Sequence, residues 1–124
     1  MERGGYRDLE VWRLGMDLTV EVYRITRTFP DSEKYGLVSQ LQRASSSIPA
    51  NIAEGYGRNS QKSLAHFLRV ASGSLKEVET FLILAHHLEY IDQQTVGVLI
   101  SRTDELSGKL HRFAQTAERR AQND

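Results

Sequence analysis

Cysteine is absent from the sequence, which excludes disulfide bonds, thiol catalysis and metal sites built from thiolates. Long apolar runs are also absent. The most apolar segment, Phe81 to Ala85, is far shorter than the ~20 residues that a membrane-spanning helix needs. The N-terminal residues MERGGYRDLE contain no apolar stretch of the kind found in signal peptides, so we expect a cytoplasmic protein.

An excess of charge of either sign is missing as well. Sixteen lysines and arginines balance 16 aspartates and glutamates, and no net positive field attracts nucleic acid. The composition, 40% hydrophobic and 26% charged, is that of an ordinary globular protein. A chain of 124 residues is long enough for one domain with its own core, and we expect a single domain over residues 1–124.

Proline and glycine are few and mark the helix boundaries. Pro30 ends a first helix, and Asp31 or Ser32 is suited to cap the next one. The glycines around Tyr56 end this second helix, and Asp92 is suited to cap a fourth. The predicted helices span residues 7–28, 32–56, 60–90 and 93–120.

The spacing of apolar residues predicts how these helices pack. Each helix carries an apolar residue every three or four positions, as in the series Leu64, Leu68, Ala71, Leu75, Val78, Leu82 and Ala85. Short connections place sequential helices antiparallel. The sequence therefore predicts an all-α, up-down-up-down antiparallel four-helix bundle.

A second apolar stripe lies on helix 1, more than a quarter-turn from its core stripe. Its residues are Trp12, Met16 and Tyr23, with Val20 alongside. Helix 3 has further apolar residues outside its core stripe, namely Val70, Phe81, Leu84 and Leu88. Either the bundle buries more of each helix than its core stripe, or these residues form the interface of a homo-oligomer.

Helix 2 carries a polar stripe beside its core stripe. Its members are Gln40, Arg43, Ser47, Asn51 and Glu54, and Ser74 and Glu77 of helix 3 are placed to meet them. Because polar groups beside a core are costly unless they satisfy one another, we expect a buried network with Arg43 paired to Glu54. Such a network fixes helix register, and a ligand or catalytic site is the alternative.

Motifs for catalysis and metal binding are not found. No glutamate has a histidine three residues later, as in di-iron bundles, and His86 and His87 are adjacent and point apart on a helix. The serines at 45, 46 and 47 lack a nucleophile-elbow motif, and the Gly55–Gly57 pair lacks the lysine of a phosphate-binding loop. We therefore expect no enzymatic activity, no metal and no cofactor.

The segment from Phe29 to Gly55 also resembles a family signature. The residues that carry the resemblance are Phe29-Pro30, Glu33, Tyr35-Gly36-Leu37, Gln40-Leu41, Arg43-Ala44, Ser47 to Gly55, and then Phe67, Ala71, Ser74, Leu75 and Glu77. The chain resembles the bacterial four-helix-bundle family first associated with intervening sequences in 23S ribosomal RNA genes. It is also similar to the accessory variability determinant of diversity-generating retroelements. The resemblance implies a homopentameric barrel with no established enzymatic activity, and for the retroelement proteins it implies nucleic acid and protein partners.

Two hypotheses for the function follow. The first is a non-enzymatic oligomeric scaffold for protein partners. The second is an RNA- or DNA-binding accessory protein, and Arg13, Arg24 and Arg27, which share one side of helix 1, are its candidate contacts. Acidic residues adjoin these arginines, so ion pairs on a solvated face are the alternative account of them.

Overall fold

Four α-helices account for most of the computed structural model, which describes residues 5–123. Two short 3₁₀ turns, Gly5–Asp8 and Asp31–Glu33, precede the first and second helices. No strand occurs within the described residues, and no helix there is long and apolar enough to cross a membrane. The helices are α1 (Glu10–Thr26), α2 (Leu37–Gly57), α3 (Gln61–His87) and α4 (Gln93–Gln122).

Cross-helix contacts show that the helices alternate in direction. Glu10, at the start of α1, pairs with Lys109 in the second half of α4. Arg69, near the start of α3, pairs with Glu118 near the end of α4. The seam between α1 and α4 is the least closely packed of the four seams between neighbouring helices. The all-α class and the four helices predicted from the sequence are confirmed.

The core consists of the apolar stripes that the sequence predicts. The fully buried large side chains come from all four helices and include Leu18, Val22, Leu41, Ile48, Leu68, Leu75, Leu82, Leu106 and Leu110. Two polar side chains are also fully buried, and each hydroxyl donates to a carbonyl of its own helix, Ser45 to Gln42 and Thr103 to Ile100. The core therefore contains no buried ionic network.

The predicted start of helix 2 at residue 32 is wrong, because α2 begins at Leu37. Residues 31–33 form the 3₁₀ turn, and the Glu33 carboxylate accepts a hydrogen bond of 3.0 Å from the Leu37 amide. The other carboxylate oxygen accepts a bond of 2.9 Å from the Tyr90 hydroxyl. These two bonds, the amide bond first, lower the pKa of Glu33. Glu33 thus caps α2 and connects it to the segment between α3 and α4.

The α3 and α4 starts follow the sequence more closely. Ser60 accepts from the Ser63 amide at 3.0 Å, and Asp92 accepts from the Thr95 amide at 2.8 Å, as predicted for Asp92. Asn59, between α2 and α3, has a positive φ of 59°, which asparagine tolerates better than most residues. This conformation permits the short connection between α2 and α3.

The first helix is shorter than the predicted span of 7–28. Residues 5–8 form the 3₁₀ turn, and α1 covers Glu10–Thr26. The amides of Thr28 and Phe29 bond to carbonyls three residues back, so the last turn tightens before Pro30.

Candidate functional site

The polar stripe of α2 lies at the outer seam between α2 and α3. Four of the seven predicted network residues are exposed, and three are partly buried. The exposed residues are Gln40, Arg43, Glu54 and Glu77, and the partly buried ones are Ser47, Asn51 and Ser74. None is fully buried, so the predicted network does not form part of the core.

The predicted pairing of Arg43 with Glu54 is wrong. Glu54 instead accepts a hydrogen bond of 2.9 Å from Arg58, with about half of each side chain exposed. Arg58 is one helical turn from Glu54, whereas Arg43 is eleven residues away, about 16 Å along the helix axis. The pair on α2 is therefore a local surface ion pair, which contributes little to stability.

Ser47 and Asn51 bond to the backbone of their own helix. The Ser47 hydroxyl donates to the Ala44 carbonyl at 2.8 Å, and the Asn51 amide donates to the Ser47 carbonyl at 2.7 Å. No side-chain bond from Ser74 or Glu77 to this stripe occurs within residues 5–123. These bonds are local and do not link α2 to α3.

The backbone defect at Pro49 is repaired by a residue that the sequence reasoning missed. Pro49 has no N–H, so the Ser45 carbonyl loses its partner within the helix. Thr19 of α1 supplies one, because its hydroxyl lies 3.0 Å from the Ser45 carbonyl and 2.7 Å from that of Gly15. The sequence offered one signal, a glycine in the core stripe of helix 1, which marks a close approach of two helices.

An open groove does bring part of the polar stripe together. It has a volume of about 500 Å³ and is lined by Gln40, Arg43, Ala44 and Ser47 of α2 and by Glu77 and Phe81 of α3. We call it the α2–α3 groove. Neither Arg43 nor Glu77 makes an ion pair with any described residue. The groove therefore combines an apolar wall with a cation and an anion that are both available to a partner.

The second apolar stripe of helix 1 is exposed at two of its three predicted positions. Met16 and Tyr23 are 40% and 42% exposed, and Val20 between them is 44% exposed. Trp12 is partly buried against the core and contacts the edge of the Tyr6 ring, with centroids 5.3 Å apart. Met16, Val20 and Tyr23 are called the α1 stripe below. Wider burial thus accounts for Trp12, but it does not account for the α1 stripe.

The arginines predicted to contact nucleic acid do not form one patch. Arg24 pairs with Glu21 at 2.6 Å, and Arg13 donates to the Asp8 carbonyl at 3.0 Å. Arg27 is exposed and makes no ion pair with the part of the chain that the structure describes. Two of the three guanidinium groups are therefore already bonded within α1 and the turn before it.

Positive charge collects instead at the end of the bundle where α1 begins. This basic end, residues 5–13, 54–69 and 108–123, has nine arginines and lysines and four aspartates and glutamates. The remaining described residues have six basic and ten acidic side chains. The neutral formal charge of the chain therefore conceals a separation of charge along the bundle.

Ion pairs occupy three of the acidic residues at the basic end. Glu118 accepts two bonds of 2.8 Å from Arg69, which lower the pKa of Glu118 and raise the pKa of Arg69. Glu10 and Glu54 pair with Lys109 and Arg58. Six basic side chains have no ion pair with another described residue, namely Arg7, Arg13, Lys62, Arg112, Arg119 and Arg120.

Histidines and acidic residues form no cluster of three or more that is placed to hold a metal ion between residues 5 and 123. His111 lies 3.0 Å from Arg69, and the rings of His86 and His87 are 6.3 Å apart. The grooves and stripes described above are surfaces for contact with another molecule.

Comparisons with known proteins agree with this architecture. The family described as 23S rRNA-intervening sequence protein matches the chain over residues 7–112. A crystal structure of a protein with unknown function from the S23 ribosomal protein family of Bacteroides thetaiotaomicron has the same fold, with a TM-score of 0.78 and 22% sequence identity. The match covers 85% of this chain and 95% of that one. No curated protein matches the chain. The similarity to retroelement accessory proteins stays a prediction.

Proposed function

The chain belongs to the 23S rRNA-intervening sequence protein family, and we propose that it works in the cytoplasm as a non-enzymatic, homo-oligomeric scaffold. The α1 stripe carries the proposal. Three large apolar side chains in line, each at least 40% exposed, are an unusual use of a helix surface unless another molecule covers them. Tyrosine and methionine are also among the residues enriched in protein interfaces.

The α3 helix has apolar surface of the same kind. Val70 is 38% exposed, and Leu84 and Leu88 are 44% and 46% exposed. The monomer therefore presents apolar side chains on two helices. A single small partner on α1 leaves the α3 residues in water, whereas self-association offers each copy a cover for both. We propose a pentamer, and the number five rests on the family resemblance.

A charged residue in the α1 stripe should separate the copies. We expect Val20→Asp to give particles of 14.1 kDa, the mass of one chain, because the carboxylate must lose water on entering an apolar contact. Val98→Asp is the matched control, since Val98 is 51% exposed on α4 and lies outside the stripe. Size exclusion with light scattering measures both masses, and circular dichroism checks that both variants are helical. A wild-type mass for Val20→Asp, or an equal loss of mass in both variants, would contradict the proposal.

Nucleic-acid binding is a second candidate function, and the basic end favours it. Six basic side chains without ion pairs occupy this end of the molecule, and five of them are arginine, which binds phosphate in a two-pronged geometry. Repetition around an oligomer raises the number of such contacts in one particle. The proposed contact surface is therefore the basic end and not the set Arg13, Arg24 and Arg27.

Replacement of two arginines at the basic end should weaken binding and reduce its salt dependence. Arg112→Gln with Arg119→Gln removes two cations from α4, and Arg24→Gln with Arg102→Gln makes the same charge change in the rest of the bundle. Fluorescence anisotropy with duplex DNA at several salt concentrations measures the log–log slope, which falls by about 0.9 for each phosphate that the protein no longer neutralises. We expect the slope to fall only for the first pair. Equal slopes for the two pairs, or no binding at low salt, would rule this function out.

A further inference from the structure

We propose that the α1 stripe of one copy packs into the α2–α3 groove of the next copy, so that the copies associate head-to-tail. This inference rests on the proposed self-association and specifies the two surfaces that meet. The partner is a second copy of this chain, and the surfaces belong to different helices of the bundle.

The groove has polar groups that the chain itself leaves unused. Other charged residues of α2 and α3 find partners within the chain, as Glu54 does with Arg58 and Lys76 does with Glu79. Arg43 and Glu77 face the same groove and make no ion pair with described residues. Gln40 at the same groove makes no side-chain hydrogen bond in the described part of the chain. An incoming surface with hydrogen-bonding groups and one cation therefore fits this site.

Apolar side chains extend the groove along α3. Phe81 forms its wall, and Val70, Leu84 and Leu88 project from the same flank of the helix at spacings of three, four and seven residues. The surface is thus an apolar strip on α3 beside a polar strip on α2. This mixed chemistry suits an aromatic side chain that has a polar tip.

The α1 stripe supplies the matching chemistry. Tyr23 brings a large ring with a hydroxyl, which is able to contact Phe81 while it bonds to the polar side of the groove. Arg27 is one turn beyond Tyr23, is exposed and has no ion pair among the described residues, so it is a cation for Glu77. Asp17, beside Met16, also lacks an ion pair in the described chain and is an anion for Arg43. Both charges of the groove thus find an opposite charge on α1.

Charge opposes the simplest alternative, a two-fold contact between two α1 stripes. In an antiparallel contact centred on Val20, residues equally far before and after position 20 face each other. Arg27 of one copy then faces Arg13 of the other, and it does so twice. Two like-charge contacts at the edge of an apolar interface are unfavourable. The stripe is therefore better matched to the groove than to itself.

The positions of the two surfaces in the bundle determine what such a contact builds. Helices α1 and α3 are not neighbours, since α2 and α4 lie between them. A pair of copies joined once still has one free α1 stripe and one free groove. Head-to-tail contacts of this kind continue until a ring closes or a filament forms. A closed ring leaves no free α1 stripe.

The absence of cysteine allows a direct test by thiol cross-linking. Val20→Cys and Tyr23→Cys each place a thiol in the α1 stripe, and Leu84→Cys places one beside the groove. Each stripe variant is co-expressed with a Leu84→Cys chain of different tag length, and a short bis-maleimide joins nearby thiols. We expect covalent dimers of unlike chains on a denaturing gel, with loss of the monomer bands, and no dimers when Val20→Cys is expressed alone. Val98→Cys with Leu84→Cys is the control pair and should remain monomeric on the gel.

Light scattering before cross-linking separates the two ways in which the test can fail. If every variant is a monomer and the wild-type chain is too, the proposed scaffold function is wrong. If the variants have the wild-type oligomeric mass but Val20→Cys dimerises with itself, the head-to-tail contact is wrong while self-association stands. An oligomer in which neither stripe thiol reacts with the thiol at position 84 also overturns the head-to-tail contact. A chain with Val20→Cys and Leu84→Cys together should give a ladder of bands that ends at the ring size.

Discussion

Replacement of Gly55 by alanine is expected to lower the free energy of unfolding by about 1–3 kcal/mol. Gly55 is buried in the last turns of α2, where α3 approaches most closely. A Cβ atom added at Gly55 lies 2.7 Å from the Cβ of Phe67 and 3.4 Å from the Leu64 backbone. Because the Phe67 Cβ is fixed to its own helix, it cannot rotate away. Either α2 or α3 must move, which opens the core packing around them.

Gly97→Ala is the matched control for this substitution. Gly97 lies in α4 and is exposed, and an added Cβ atom has no atom within 4 Å. Alanine at such a position is expected to raise the free energy of unfolding by about 0.5–1 kcal/mol, since glycine loses more backbone entropy in a helix. Urea unfolding followed by circular dichroism, at one protein concentration, measures both values. Equal stability of Gly55→Ala and Gly97→Ala would show that the close approach of α2 and α3 is not tight.

The second large effect is expected at Thr19. Thr19→Val keeps the shape of the side chain but removes the hydroxyl that donates to the Ser45 carbonyl. Ser45 is fully buried, and its carbonyl has no other donor in the helix because residue 49 is proline. An unsatisfied buried acceptor costs about 1–3 kcal/mol. Thr80→Val is the control, since the Thr80 hydroxyl is exposed and donates to the Lys76 carbonyl within an uninterrupted helix.

A double-mutant cycle tests whether this cost comes from Pro49. Pro49→Ala restores the N–H that the Ser45 carbonyl lacks, so Thr19→Val should cost less in the Pro49→Ala background than in the wild type. The cycle cancels the packing that Pro49 loses against Gly15. If the two substitutions are additive, the Thr19 bond does not replace the missing helix bond.

The fold was predictable because its signals are local and periodic. Apolar residues every three or four positions define one face of a helix whatever its neighbours are, and the buried series on α3 has the predicted residues. The cap at Asp92 was predictable for the same reason, since it depends on residues next to each other in sequence.

The candidate site was predicted less well because it depends on distances between helices and along them. A shared helix face does not bring Arg43 within reach of Glu54, and the rise of the helix decides against that pair. The partner of the Ser45 carbonyl lies on another helix, at Thr19, where no sequence spacing indicates it. The start of α2 moved because the Glu33 carboxylate bonds to an amide four residues later.

The separation of charge shows a different limit. A net charge of zero excludes a general attraction to nucleic acid, but it says nothing about where the charges lie. Residues 5–13, 54–69 and 108–123 are far apart in sequence and share one end only because the helices alternate in direction. Once that alternation is known, the basic end follows from the sequence itself.

The central claim is that the chain associates with itself through surface that the monomer leaves exposed. Sedimentation velocity of the wild-type protein over a wide range of concentrations tests this claim most directly. We predict a single species whose mass is a whole multiple of 14.1 kDa, with five copies as the expected number. A species of 14.1 kDa at every concentration would contradict the account, because Met16, Val20 and Tyr23 would then face water in the working protein.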